Sequence, residues 1–291
     1  MTITLPHQTS APGEAIECWA QVDGYRMRYL RAGSGPPLIL LHGLLGYSFS
    51  WRMNISALAP YATVYAPDLL GIGFSDRPPG LDCSMRAAAG RILGFMDAVG
   101  IRQADVLGTS HGGGVTAMLA AMDADAGSQR IRRLILVAPV NPWSDYGRGI
   151  TDLLASKPGG LALSALLPIL RRLRWLVLAR LYGDWRRIPP GSAAGYGAGV
   201  AAPGTIDYLL GVMRCWHDDL NQLESAYPRI SGVPSLLVWG TRDPVVWPSS
   251  AAHLHSILSH SELVFLEGAG HLPYEEAPNE FNQAVLRFLA G

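Results

Sequence analysis

The pentapeptide Gly108-Thr109-Ser110-His111-Gly112 stands between an apolar run, Ala104 to Leu107, and a small-residue stretch of helical spacing that begins at Gly113. It constrains the fold more than any other segment, because it asks a strand to turn sharply into a helix around one serine. A serine raised on such a turn takes up a strained backbone conformation, and side chains two residues before and after it would collide. Glycine at 108 and 112 removes that collision. G-x-S-x-G is short enough to arise by chance, so its weight comes from the strand pattern before it and the helix pattern after it. Ser110 is thereby the candidate nucleophile.

The rest of the chain supplies a matching frame. Alternating residues from Ile16 to Val22 and from Tyr25 to Arg31, joined by Asp23-Gly24, predict an antiparallel hairpin. Continuous apolar runs follow at Leu38 to Leu41, Thr63 to Ala66, Ala104 to Leu107, Leu134 to Val137, Ser235 to Trp239 and Leu263 to Leu266. Such runs are expected of strands buried on both faces. Helical patterns lie between most of them, around Ser50 to Ala59, Ser84 to Val99, Gly113 to Met122, Ser249 to Leu258 and Asn279 to Leu289. Strand and helix in alternation predict an α/β fold with a mostly parallel, doubly wound sheet.

The alternation breaks once, between Pro139 and about Tyr227, where leucine-rich helical patterns, arginines and a Gly/Ala/Pro-rich loop from Pro189 to Gly204 replace the strands. This predicts a core domain of residues 1–140 and 228–291 with a helical cap, 141–227, inserted into it. Two readings of Leu161 to Tyr182 stay open: a segment that packs on itself and the core with its arginines solvated, or one that also touches substrate. An insertion at the carboxyl ends of parallel strands stands over the crevice where such sheets bind ligands.

Charge and cysteine usage narrow the partners. Lys plus Arg and Asp plus Glu each total 23, and this neutrality provides no field to gather nucleic acid or acidic lipid, so a small uncharged substrate is expected. Cys18, Cys83 and Cys215 are odd in number and lack C-x-x-C spacing, which points to ordinary reduced thiols. His253 and His255 are two apart on a predicted helix and face different ways, and no metal site or cofactor fingerprint is expected. Residues 1–14 lack a basic start and apolar centre, and Gly159 to Leu170 is too short to span a bilayer, so a cytoplasmic protein without stable membrane insertion is expected. The sequence leaves the oligomeric state open.

A serine nucleophile needs a base, and the base needs an orienting group. His271 follows the last predicted strand in the Gly-rich stretch 267–273, and Asp243 follows the preceding strand in 238–244. Both positions face the sheet's carboxyl edge. Asp145, after the strand ending at Val137, is the rival acid, whereas Asp68 and Asp76 read as turn-stabilising carboxylates. In folds of this kind the oxyanion is held by two amides, one from the residue after the nucleophile and one from the loop after an early strand. Here these are His111 and Leu44, the latter in Leu41-His42-Gly43-Leu44-Leu45-Gly46, where the His42 ring reads as structural.

Taken together, Leu41-His42-Gly43, the stretch Ala66 to Asp76, the Ser110 turn, the Asp243 loop and Gly270-His271 through Pro278 resemble the α/β-hydrolase fold superfamily, and its capped members in particular. The resemblance implies a cofactor-independent serine hydrolase acting on a small or medium apolar ester. Serine at 110 departs from epoxide hydrolases and haloalkane dehalogenases, whose nucleophile is aspartate. Two other readings remain: a C–C bond hydrolase of meta-cleavage diketones, with Arg172, Arg174 or Arg214 meeting a carboxylate, and a hydrolase-like ligand receptor. Trp143, Leu166, Leu167, Trp175, Trp185 and Trp216 are the candidate pocket lining.

Overall fold

The computed structural model describes residues 14–144 and 148–291. Its eight strands form one sheet in the order β1-β2-β4-β3-β5-β6-β7-β8. They are β1 Ile16–Val22, β2 Tyr25–Ala32, β3 Pro37–Leu41, β4 Thr63–Pro67, β5 Ala104–Thr109, β6 Ile131–Val137, β7 Ser235–Gly240 and β8 Ser261–Leu266. β1 and β2 form the expected hairpin, with Asp23 and Gly24 at φ 52° and 80° in the turn. β2 runs antiparallel to β4, and all later neighbours are parallel. The mostly parallel α/β sheet read from the apolar runs is therefore present. β8 departs from the expectation of burial on both faces: it is the edge strand, and of its residues only Leu266 is buried.

The helices are α1 Ile55–Leu58, α2 Met85–Ala98, α3 His111–Ala126, α4 Arg148–Ala155, α5 Lys157–Arg172, α6 Arg174–Ala179, α7 Ser192–Ala201, α8 Thr205–Arg229, α9 Ser249–Ile257, α10 Pro273–Glu276 and α11 Pro278–Ala290. One hydrophobic cluster, built from α2, α3, α8 and α9, covers one face of the sheet. The other face is covered by α1, α10 and α11 around Trp51, Tyr274 and Phe281. Burial on both faces explains why β3 to β7 read as unbroken apolar runs.

Two local expectations change. The helix expected over Ser50 to Ala59 is a 3₁₀ turn, Ser48–Trp51, followed by the single turn α1. Between them the buried Asn54 side chain donates to Tyr274 O at 3.1 Å and to Asn282 Oδ1 at 2.9 Å, so tertiary bonding decides the local path. The loop expected from Pro189 to Gly204 contains α7 instead. Its glycines serve close approach rather than looseness: a Cβ on Gly195 would lie 2.1 Å from the Phe49 ring, and one on Gly199 would lie 2.7 Å from Tyr47.

β3 pairs with β4 on one side and β5 on the other, so chain order reverses direction across the sheet there. Ligand crevices of open α/β sheets form outside the strand ends at such a reversal. The loop after β3 and the turn after β5 meet at this place, and helices α4 to α8 fill the chain between β6 and β7.

Candidate active site

Ser110 occupies the turn between β5 and α3 with φ 53° and ψ −121°, a left-handed conformation for a residue with a side chain. Its surroundings fix it there. The Ser110 amide donates to Val137 O at 2.9 Å, and its carbonyl accepts from Gly114 N at 3.1 Å and Val140 N at 3.0 Å. A Cβ on Gly108 would sit 2.3 Å from Gly112 O, and one on Gly112 would sit 2.3 Å from His42 O. Only glycine fits at either position, as the pentapeptide implied.

The His271 Nε2 lies 2.9 Å from Ser110 Oγ, and its Nδ1 lies 2.8 Å from Asp243 Oδ2. The carboxylate can only accept, so Nδ1 carries the proton and Nε2 presents its lone pair to the serine hydroxyl. The other oxygen, Asp243 Oδ1, accepts from Val245 N at 2.7 Å and Val246 N at 3.0 Å, which leaves the carboxylate one orientation. All three expected side chains therefore meet in one contact chain, although they stand 28 and 161 residues apart in sequence. Asp145 lies outside the described residues.

The loop after β3 faces the same serine. Gly43, Leu44 and Ser110 line one cavity, and a Cβ on Gly43 would reach 3.2 Å from Ser110 Cβ. Among the described residues, the amides of Leu44 and His111 have no carbonyl acceptor. A tight turn, Gly46 N to Gly43 O at 3.0 Å, and a left-handed Leu45 at φ 59° shape this loop. His42 braces it: Nδ1 donates to Gly43 O at 2.9 Å while Nε2 accepts from Leu69 N at 3.1 Å. Both ring nitrogens are thus engaged, and burial lowers the ring's pKa, so His42 is a neutral brace. Burial, with His42 adding to it, pushes His111 down to about 4, so its ring is neutral too. Asp68 is a buried tie, accepting from Ser48 N at 2.8 Å, Phe74 N at 2.9 Å and Arg28 at 3.2 Å. Asp76 accepts from Arg26 N at 2.8 Å at the hairpin's margin.

Two adjacent acids without a role in the sequence reading stand behind the histidine loop, and Glu276 holds it directly. Glu276 Oε1 accepts from Gly270 N at 2.6 Å, and its Oε2 accepts from Gly183 N at 3.0 Å. His271 N itself donates to Leu181 O at 2.7 Å. Glu275 takes both Arg52 guanidinium nitrogens at 2.7 Å and the Tyr182 hydroxyl at 2.6 Å, and also accepts from the Tyr196 hydroxyl. Burial pushes Glu276 up to about 7 against the pull of its three amide donors, and burial likewise raises the Tyr182 and Tyr196 hydroxyls. The signal available in the sequence was the pair Glu275-Glu276 in an apolar context directly after the His271 loop.

The cavity has a volume of about 600 Å³. Its walls away from Ser110 and His271 are chiefly aliphatic, with Leu163, Val177, Leu178, Leu181, Ile206 and Leu209 from the helices between β6 and β7. This lining differs from the one expected from the sequence. Trp143 and Trp216 pack against the sheet's hydrophobic cluster, whereas Leu166, Trp175 and Trp185 point to the outer surface. None of these five borders the cavity. Helical spacing marked an apolar stripe but could not say which stripe turned inward. The Leu167 side chain lies outside the described ones.

A family model described as alpha/beta hydrolase fold matches residues 36–163 and 184–278. The chain belongs to that family. An uncharacterized protein of Mycobacterium tuberculosis is 31% identical over 288 residues, covering 92% of this chain and 79% of its own length. The 2-hydroxymuconate semialdehyde hydrolase of Pseudomonas sp. (strain CF600) is 28% identical, with 92% and 91% covered. Among solved structures, a membrane phospholipase A described as a bacterial virulence factor superposes with a TM-score of 0.74 at 25% identity, covering 95% of this chain and 86% of that one. The eight-stranded α/β-hydrolase fold and the superfamily resemblance are thus shown.

Proposed function

We propose that the protein is a serine hydrolase of apolar carboxylic esters, with Ser110 as nucleophile, His271 as base and Asp243 as the orienting acid. The observation that carries this reading is the Ser110–His271–Asp243 contact chain at the end of an aliphatic cavity. Ser110 Oγ adds to the ester carbonyl while His271 Nε2 takes its proton. The amides of Leu44 and His111 receive the negative oxygen. The His271 proton then passes to the leaving alcohol as the C–O bond breaks. Water, deprotonated by His271, adds to the acyl-enzyme and releases the acid, restoring the Ser110 hydroxyl. Residues 141–227 act as a cap that closes the acyl or alcohol pocket.

Ester cleavage is preferred because carbon surrounds the part of the cavity that would hold the substrate's non-reacting groups. One observation favours a second reading. Arg174 borders the cavity, as a carboxylate partner in a C–C hydrolase would, whereas Arg172 and Arg214 are exposed and outside the lining. The decisive experiment compares Ser110→Ala with the wild type. The variant is expected to lose p-nitrophenyl ester turnover and fluorophosphonate labelling while keeping its folded circular dichroism; labelling at the wild-type rate would remove Ser110 from the mechanism. Loss of the yellow colour of a ring-fission diketone, without ester turnover, would select the second reading.

A further inference from the structure

The outer surface of the cap does not resemble a solvated helix face. Along α5 and α6 the described side chains that point away from the molecule follow helical spacing and, apart from Arg172 and Arg174, are apolar. Leu161 is 74% exposed, Leu166 51% and Ile169 54%; Leu173, Trp175 and Leu176 continue the stripe. None of the six belongs to either hydrophobic cluster of the molecule. A contiguous exposed patch of this kind marks a surface that is covered in use.

Charge identifies the cover. Over residues 157–206 the only acidic residue is Asp184, set against one lysine and six arginines, although the chain as a whole is neutral. Arg172, Arg174, Arg180 and Arg187 are exposed around the apolar stripe, and Asp184 is occupied by Arg186 at 2.9 Å. Apolar side chains ringed by arginine, with tryptophan at the margin, match the boundary between lipid headgroups and acyl chains. A second copy of the same basic face would be repelled. A bilayer carrying phosphate headgroups would be attracted.

We propose that the outer face of α5 and α6 docks the protein on the surface of an anionic lipid bilayer, lying in the interface without crossing it. No helix among the described residues is long and apolar enough to span a membrane, in keeping with an interfacial mode. The docked face adjoins the cavity: Val177 borders the cavity and is also 52% exposed at the patch. A lipid ester could therefore pass from the bilayer to Ser110 with little exposure to water. This last step rests on the hydrolase reading, but the docking does not.

The test is flotation of the protein with vesicles of phosphatidylcholine alone and of phosphatidylcholine mixed equally with phosphatidylglycerol. The wild type is expected to float with the mixed vesicles and to bind phosphatidylcholine far more weakly. The Leu161→Glu/Ile169→Glu variant should lose binding by about tenfold or more, because it removes two inserting side chains and adds two charges. Arg172→Glu/Arg180→Glu should abolish the preference for phosphatidylglycerol, and raised salt should do the same to the wild type. Far-ultraviolet circular dichroism and thermal melting report that each variant is folded, and Ser110→Ala should float as the wild type does. No flotation of the wild type, or equal flotation of Leu161→Glu/Ile169→Glu, overturns the proposal. A concentration-dependent dimer abolished by Leu161→Glu/Ile169→Glu would do so too, by making the face a self-association surface. Flotation without any ester turnover would leave the docking standing and remove the hydrolase reading.

Discussion

At the scale of single residues, the site consists of side chains with no freedom left. Asp243 illustrates this: two amides hold one oxygen and the histidine holds the other, so its charge cannot turn away from His271. Asp243→Asn keeps the shape but puts a donor or a weaker acceptor opposite Nδ1, favouring the wrong tautomer. Ester turnover is expected to fall by roughly three to four decades, with the folded structure kept; a loss under about tenfold would mean another group, Asp145 foremost, orients the base. Glu276 acts one step further out. Its two oxygens tie the amide before His271 to the amide of Gly183. In Glu276→Gln one of those oxygens becomes an amide nitrogen facing an N–H donor, so the imidazole loses its fixed seat. We expect kcat to fall about tenfold with KM little changed, since a small misplacement of a reacting group is costly while the pocket walls stay put. An unchanged kcat would reduce Glu276 to a fold contact.

At the scale of elements, the strands and the helices flanking them were legible, and the inserted helices were legible only in part. β3 to β7 are buried on both faces, so solvent never interrupts their apolar runs, and the pentapeptide located the sharp turn from β5 into α3 at Ser110. In α5 and α6 an apolar stripe marks a helix without telling a cavity wall from an outer surface, which is why Leu166 and Trp175, expected in the lining, stand on the outside. In α7 the glycines that suggested a loop are contact points for the Tyr47 and Phe49 rings, a demand made by a segment 146 residues away in the bond between Tyr196 and Ser50. The same kind of distant contact is invisible for Asp219 on α8. Its Oδ1 accepts from Met85 N at the start of α2 at 3.0 Å, and its buried Oδ2 has no partner among the described residues. Burial pushes this carboxyl up to about 7 from 3.8. The folded state therefore keeps a proton that the unfolded chain releases, and this contribution to stability, present at low pH, is lost as pH rises through about 7. Asp219→Asn keeps the acceptor and removes the charge. It should be more stable than the wild type above pH 7 by on the order of 1–2 kcal/mol and lose that advantage near pH 5, as read from thermal melts across pH. A constant difference at all pH values would show that the carboxyl does not titrate there.

At the scale of the whole molecule, loops of the sheet carry Ser110, Asp243 and His271, and the helices between β6 and β7 wall the cavity beside them; on the proposed function the first do the chemistry and the second set what reaches them. Ser110, Asp243 and His271 come from the loops after β5, β7 and β8, whereas Leu163, Val177 and Leu209 come from the helices between β6 and β7. Chemistry and selectivity should then be separable by mutation. Each substrate methylene buried against these walls contributes at most about 0.8 kcal/mol, so kcat/KM should climb a few-fold per added carbon and stop rising once the cavity of about 600 Å³ is filled. Leu163 is a suitable lever because it borders the cavity and is only partly buried against the core. Leu163→Trp should move the optimum to shorter acyl or alcohol chains, because the larger ring occupies space the substrate would use. The rate of labelling by a small fluorophosphonate should change little, since Ser110, His271 and their partners lie on the sheet side of the cavity. A series of p-nitrophenyl esters of increasing length, run on both proteins, measures the two effects at once. If the length profile is flat and Leu163→Trp leaves it flat, the cap does not form the substrate pocket, and selectivity must come from the loop at Gly43 to Gly46 instead.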